Sequence, residues 1–179
     1  MRIIYIVILI LAVHGVSVAQ DSRDRGIDLF RQGDYAESIK MLEELESQGT
    51  ADYPTSVYLG AAYVKSGEFK KATSTFIRAQ RSNKKPVSPM KYEKSVEITN
   101  RPRASFSAAA TGNDSSGIIR LAVELKEDGS VGFIIPYETS SPTLVDDAVK
   151  TAKKIRFKPA ILHGKAVTSV LLFEYTFSR

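Results

Sequence analysis

The chain has 179 residues, room for one or two small domains, and its 25% charged and 43% hydrophobic residues exclude disorder throughout. It has no Cys, which removes disulfides, thiolate metal sites and a Cys nucleophile together, and its two His, His14 and His163, lie in different segments, which excludes a His-rich metal site. The net charge of +5 sits between positions 81 and 103, where seven basic residues face Glu93 and Glu97; the rest of the chain is balanced. A stretch of that kind is either a solvated connector or a surface for anionic lipid, cell-wall polymer or nucleic acid.

Arg2 precedes an apolar run from Ile3 to Val13, followed by Gly15, Ser17, Val18 and Ala19. A positive start, an apolar core and a small-x-small exit describe a secretory signal cleaved before Gln20. The alternative is a retained inner-membrane anchor. At about 1.5 Å per residue, Ile3 to Ala19 gives about 26 Å of helix, just short of a hydrocarbon core of about 30 Å.

The next segment repeats itself at a period of 34 residues. Gly26, Leu29, Gly33, Tyr35, Ser38, Leu42 and Leu45 recur as Gly60, Tyr63, Gly67, Phe69, Ala72, Phe76 and Ala79. Each unit reads as two helices joined near Gly33-Asp34 or Gly67-Glu68. The small residues let paired helices approach, and the large ones fill the seam. In period and residue types, residues 22–86 resemble the tetratricopeptide repeat, more closely in the second unit. Arg25 stands at a usually apolar place in the first unit, and Ser38 replaces Ala. Two repeats fall short of the three or so that bury a continuous core. Their open face therefore needs a cover: Met90–Ile98, the C-terminal domain or a second copy of the chain.

Lys84-Lys85-Pro86 to Pro89 breaks the helical pattern, and Arg101-Pro102-Arg103 breaks the chain again. Val96 and Ile98 alternate with Glu97, consistent with a short strand. Beyond it, a short helix is expected from Ser105 to Ala110, then turn chemistry from Asn113 to Gly117. Ile119, Leu121, Val123 and Leu125 alternate with polar or small residues as in a half-buried strand. Asp128-Gly129 makes a tight hairpin, and Val131, Phe133 and Ile135 return as a second strand ended by Pro136. From Ser140-Ser141-Pro142 a helix starts whose inner face is Leu144, Ala148, Ala152 and Ile155. Asp146, Asp147 and the later lysines are expected to face water. Phe157 and Pro159 end the helix, His163-Gly164-Lys165 turns the chain, and Val167–Phe177 forms a long last strand.

These elements predict an α+β chain in which N-terminal helical hairpins precede a small three-stranded antiparallel sheet with one packed helix. The expected division is 1–19 as signal peptide or membrane anchor, 20–85 as helical repeats, 86–103 as a basic linker and 104–179 as the C-terminal domain. The last strand has more residues than its neighbours can cover, so part of its edge is expected to be open to another strand.

No chemistry-bearing constellation appears. Ser115-Ser116, Ser140-Ser141 and His163 read as turn or loop residues, and neighbours Asp146 and Asp147 point in different directions on a helix. No phosphate loop, zinc spacing or dinucleotide fingerprint occurs. The expectation is no catalysis, no cofactor and no metal. Nucleic-acid binding conflicts with export and lacks stacking residues, with only Tyr92 near the basic stretch.

Phe106, Ala110, Gly117, Leu144, Ala148, Ala152, Phe157, Pro159, Ala160, Gly164 and Val167 form an ordered set that resembles the C-terminal domain of TonB, which carries inner-membrane energy to outer-membrane transporters. The resemblance implies a non-catalytic periplasmic protein of a Gram-negative bacterium that takes a transporter's short extended peptide by strand addition beside its last strand. The docking edge it implies is Ser169, Val170, Leu171, Leu172, Phe173, Glu174 and Tyr175. On that expectation, Leu171→Pro removes a backbone donor from the edge and abolishes peptide capture. The family's opening proline is Ser107 here, a helical repeat replaces its proline-rich spacer, and Ile10 stands where its anchor carries a serine. A second expectation is a periplasmic scaffold without energy transduction, whose repeats bind a second protein. A homodimer through paired last strands is a third.

Overall fold

The computed structural model describes residues 19–82, 92–106 and 116–178. The signal-like segment up to residue 18, the Lys84–Pro89 break and the short helix expected through Ala110 lie outside the described residues, apart from Ser105 and Phe106.

Four helices come first: α1 over residues 19–32, α2 (Tyr35–Ser47), α3 (Tyr53–Lys65) and α4 (Phe69–Ser82). The 34-residue period is visible in their turns. Gly33 ends α1 at φ 86°, with Gly33 N donating to Phe30 O and Asp34 N to Leu29 O. Gly67 ends α3 at φ 79° with the same pair of bonds, to Val64 O and Tyr63 O. This is the left-handed helix stop that glycine adopts without steric cost. Asp34 and Asp52 then start α2 and α3 by accepting from Glu37 N and Thr55 N. The small-against-large pairing repeats as well. A Cβ on Gly26 would lie 2.7 Å from Leu42 Cδ2, and one on Gly60 would lie 2.6 Å from Phe76 Cε1. Ser38 is fully buried at the place Ala72 holds in the second unit, and its hydroxyl is satisfied by donating to Gly26 O at 2.8 Å.

The C-terminal part holds β1 (Glu97–Asn100), β2 (Gly117–Leu125), β3 (Val131–Thr139), a 3₁₀ turn (Pro142–Leu144), α5 (Val145–Ala152), β4 (Arg156–Lys158), β5 (Ala160–Leu162), β6 (Lys165–Val167) and β7 (Ser169–Phe177). The main sheet is antiparallel in the order β3-β2-β7. Leu144, Ala148, Ala152 and Ile155 are fully buried and pack with Ile119, Leu121, Val123, Leu125, Phe173, Tyr175 and Phe177 on one sheet face. The α+β architecture, the three-stranded sheet and its packed helix agree with the expectation from sequence.

Several local expectations need correction. The second strand does not stop at Pro136 but continues to Thr139. Pro136 sits on an edge strand beside a bulge, where its missing N–H leaves the ladder intact. A second irregularity between Val123 and Leu125 breaks the period of two in β3. Val131 and Ile134 join the core under α5, while Phe133 and Ile135 join the opposite one. Asp147 is buried, at 5% exposure, not solvated. The helix ends at Ala152, and Phe157 lies in β4, paired with Ile98 of β1. The long last strand is two strands, β6 and β7, separated at Thr168.

The cover for the repeats is the sheet itself. Ala122, Tyr137 and Val170, with Phe133, Ile135 and Leu172, share one core with Ile27, Phe30, Tyr58, Leu59 and Phe76. The rings of Phe76 and Tyr137 stand 5.7 Å apart, and Tyr137 Oη donates to Gln80 Oε1 at 3.2 Å. The sheet is thus a middle layer, with α5 on one face and helical hairpins on the other.

Candidate functional site

The residues implied as a docking edge, Ser169, Val170, Leu171, Leu172, Phe173, Glu174 and Tyr175, all lie in β7, which pairs along its whole length with β2. Among the described residues β7 has no second strand partner, so it is an edge of the sheet. Backbone direction divides these residues into two sets. Ser140 N donates to Ile118 O on the β3 side of β2, so the odd-numbered residues of β2 turn their backbone groups toward β7. The register pairs them with Ser169, Leu171, Phe173, Tyr175 and Phe177, which therefore face inward. Val170, Leu172 and Glu174 turn their N–H and C=O groups outward.

Two arginines mark the limits of that outward row. At its start, Thr168 O accepts from Arg31 Nε and from Tyr58 Oη, each at 3.3 Å. Arg31 is held between Tyr58 and Tyr92, 5.7 Å from each ring centroid, and donates to Tyr92 Oη and Asp28 Oδ1. Burial raises the pKa of the Tyr58 hydroxyl, and Tyr92 adds to the effect while Arg31 opposes it. At the far end, Arg101 Nη2 donates to Glu174 O. Its guanidinium lies 5.4 Å from the ring centroids of both Phe173 and Tyr175. Arg101, Glu174 and Tyr175, together with Pro102, Arg103, Ala104, Thr176 and Ser178, line a groove of ≈ 470 Å³ beside the strand. The Tyr175 hydroxyl is buried and makes no hydrogen bond of regular geometry among the described residues. Burial raises its pKa and the nearby Arg101 works against that rise.

The stretch expected as connector contributes directly to this site. Glu93 N and Lys94 N donate to Ile161 O, Ile161 N returns a bond to Lys94 O, and the Glu93 carboxylate accepts from Gly164 N. His163 and Gly164, both at positive φ, form the two-residue turn of the β5–β6 hairpin, as expected of a turn there. Phe106 packs edge-to-face on Phe177, ring centroids 5.5 Å apart. Sequence reading missed Arg31, Tyr92 and Arg101 as neighbours of the edge. The signal for the seam was present in β7, whose second face carries Val170 and Leu172 rather than the polar residues of a solvated face.

Among the described residues no cluster of three His, Asp or Glu could hold a metal ion. What the arrangement offers is a row of outward backbone groups, fixed by a rigid sheet and bounded by two cations. Such a row takes up extended polypeptide.

The fold is therefore that of a small α+β module with an edge strand facing a basic groove. Residues 102–178 match the family described as Gram-negative bacterial TonB protein C-terminal. Domains of this family are non-catalytic, lie in the periplasm, and belong to TonB-type energy transduction with TonB-dependent outer-membrane transporters. No curated protein matches the chain. Among the described residues no helix is long and apolar enough to cross a membrane.

Proposed function

We propose that the chain is a periplasmic adaptor of TonB type that captures a short extended peptide of an outer-membrane transporter on the outer edge of β7 and contributes to energised transport. The observation that carries this reading is the pairing of β7 with β2 alone among the described residues, which leaves the backbone of Val170, Leu172 and Glu174 directed outward. Backbone pairing gives affinity that depends little on the visitor's side chains, and the groove beside Arg101 adds selectivity. In this reading, helical repeats of tetratricopeptide type occupy residues 20–85, and the docking domain spans 104–179. The repeats serve the domain in cis by covering the second face of its sheet. An exported chain cleaved before Gln20 would act without its own membrane tether, whereas a retained Met1–Ala19 segment would let it carry force.

The direction of the backbone groups changes which substitution tests the edge. The Leu171 amide faces β2, so Leu171→Pro breaks the internal ladder and unfolds the sheet. The Leu172 amide faces outward, and proline there deletes a donor available to a visitor. Leu172→Ala, which keeps the amide, controls for lost packing in the seam. In a titration with peptides from the periplasmic ends of outer-membrane transporters, Leu172→Pro should lose about tenfold or more in affinity relative to Leu172→Ala. Circular dichroism should show both folded. Equal affinity in the two folded variants removes the edge as the docking site.

A further inference from the structure

Between the two repeat units, α3 covers α2 through two side-chain bonds. Ser56 Oγ donates to Glu46 Oε1 at 3.2 Å, and Tyr63 Oη donates to Glu43. At the 34-residue period the same two places on α4 are Gln80 and Ile77. Gln80 is met by the sheet, through Tyr137 Oη. Ile77 is only half-buried, and with Phe69, Lys70, Thr73 and Ser74 it lines a shallow groove of ≈ 380 Å³ whose walls come from α4 alone. Phe69 is 58% exposed. Phe69, Thr73 and Ile77 recur every four residues, which makes them one stripe along the helix. The sheet thus takes the place of a third repeat only at the C-terminal end of α4. The rest of that helix keeps an open seat of the kind α2 offers to α3.

The charge around the seat defines the helix that fits it. α4 carries Lys70, Lys71, Arg78 and Arg81 and no acid. Lys71 pairs with Glu68 and Arg78 with Glu46, whereas Lys70 and Arg81 have no carboxylate at salt-bridge distance among the described residues. Lys70 lines the groove, and Arg81 lies one turn beyond Ile77. A second copy of the chain is the wrong occupant. On α3 the face that meets α2 is Ser56, Leu59 and Tyr63, with Leu59 fully buried. Its counterpart on α1 is Ser22, Arg25 and Leu29, and Arg25 is exposed. Stacking copies head to tail would press Arg25 toward Lys70 and Arg81, and pairing two α4 faces would set the same cations against each other.

We propose that the Phe69, Thr73, Ile77 stripe of α4 seats an amphipathic helix of another protein, about three turns long, whose apolar face is flanked by carboxylates that meet Lys70 and Arg81. α4 packs on β3, at the opposite edge of the sheet from β7. The seat therefore gives the chain a second partner that does not depend on strand addition.

The test uses the purified full chain and fluorescently labelled, helix-stabilised peptides. Three share one leucine stripe, flanked by Glu, by Gln or by Lys; a fourth is the Glu peptide scrambled so that the stripe is lost. The Glu peptide should bind about tenfold tighter than the Gln peptide, with the Lys and scrambled peptides weaker still, and salt should shrink the difference. Phe69→Ser should weaken the Glu peptide about tenfold. Lys70→Glu with Arg81→Glu should pass the preference to the Lys peptide. All three side chains are exposed, so these variants keep the fold, which circular dichroism checks. Equal binding of the Glu and Lys peptides, or a Glu peptide indifferent to Phe69→Ser, overturns the proposal. So does binding of anionic phospholipid vesicles through Phe69 with no peptide bound, which would make the stripe a membrane surface. Self-association abolished by Phe69→Ser would make it an interface between copies and overturn the proposal as well. None of these outcomes touches the β7 edge.

Discussion

Lys65 Nζ, at the C-terminal end of α3, lies 3.1 Å from Glu124 Oε1 near the C-terminal end of β2, and the Glu124 side chain is 4% exposed. The pair joins the helical repeats to the sheet across their shared seam. It also accounts for Gly132. A Cβ at that position would land on Glu124 Oε2, and the bulge there lets Phe133 N donate to the same oxygen at 3.3 Å.

Lys65→Met should strand a carboxylate in the seam. Breaking a fully buried pair costs about 3–5 kcal/mol, and because Lys65 keeps some water contact we expect about 2–3 kcal/mol here. Adding Glu124→Gln should recover part of the loss, since the neutral amide needs no counter-ion. Urea denaturation of the single and double variants measures both effects. A Lys65→Met chain as stable as the parent would mean that Glu124 does not need its partner.

The repeat makes a sharper packing prediction. Alanine at Gly60 adds helix propensity worth about 1 kcal/mol. Its methyl, however, would sit 2.6 Å from a Phe76 ring that is fully buried and itself packed on Tyr137. Overpacking of this kind costs about 1–3 kcal/mol, so Gly60→Ala should be net destabilising despite the better helix former. Gly60→Ala combined with Phe76→Leu should lose less stability than the sum of the two separate losses, because the smaller side chain makes room. Strict additivity in thermal melts would count against this account of the 34-residue period.

Much of this architecture can be read from local pattern, because local pattern reports which face of an element is buried. Alternation from Ile119 to Leu125, the Asp128-Gly129 hairpin and the Leu144, Ala148, Ala152 face each act over a few residues, and each appears where expected. Three-residue strands such as β4, β5 and β6 are too short to show a period at all. The bulge at Gly132 defeats period two because its cause, the Glu124 carboxylate, comes from another strand. The seam between repeats and sheet is a contact between distant segments, hinted at only by the apolar Val170 and Leu172. Arg101 was legible only as half of a chain-breaking Arg-Pro-Arg. Its place beside Glu174 depends on how β1 docks on β4.

Alkali should unfold the chain through its buried tyrosines. Burial lifts the Tyr53 hydroxyl to about 12 and also raises Tyr58 and Tyr137. Tyr63 rises through burial and its bond to Glu43. In the unfolded chain these groups release their protons near pH 10. The folded state thus holds protons that the unfolded state gives up. The stability from keeping these phenols neutral is complete below about pH 10 and is lost as pH climbs toward 12 and beyond. Urea midpoints should fall over that window, and tyrosinate absorbance should appear in step with unfolding. Tyr53→Phe should flatten the fall. An unchanged slope would show that Tyr53 ionises in the fold as easily as in the unfolded chain.

Arg31 should hold the start of β7 to the repeats. Its Nε donates to Thr168 O across 137 positions of sequence, and its guanidinium fills the space between Tyr58 and Tyr92. Arg31→Met keeps most of the aliphatic stem but removes every donor, leaving Thr168 O with the Tyr58 hydroxyl as its remaining partner. Losing a charged donor costs a buried carbonyl about 1–3 kcal/mol, and the half-buried Thr168 O should sit at the low end, about 1 kcal/mol. The effect should be local, because the core beneath α5 shares no residue with this cluster. Hydrogen exchange should therefore quicken at Ser169 and around Glu93 and Lys94, with little change at Leu121, Val123 and Ala148. Uniform quickening across the sheet would mean that repeats and sheet unfold as one unit, and no change anywhere would mean that Tyr58 alone holds the strand.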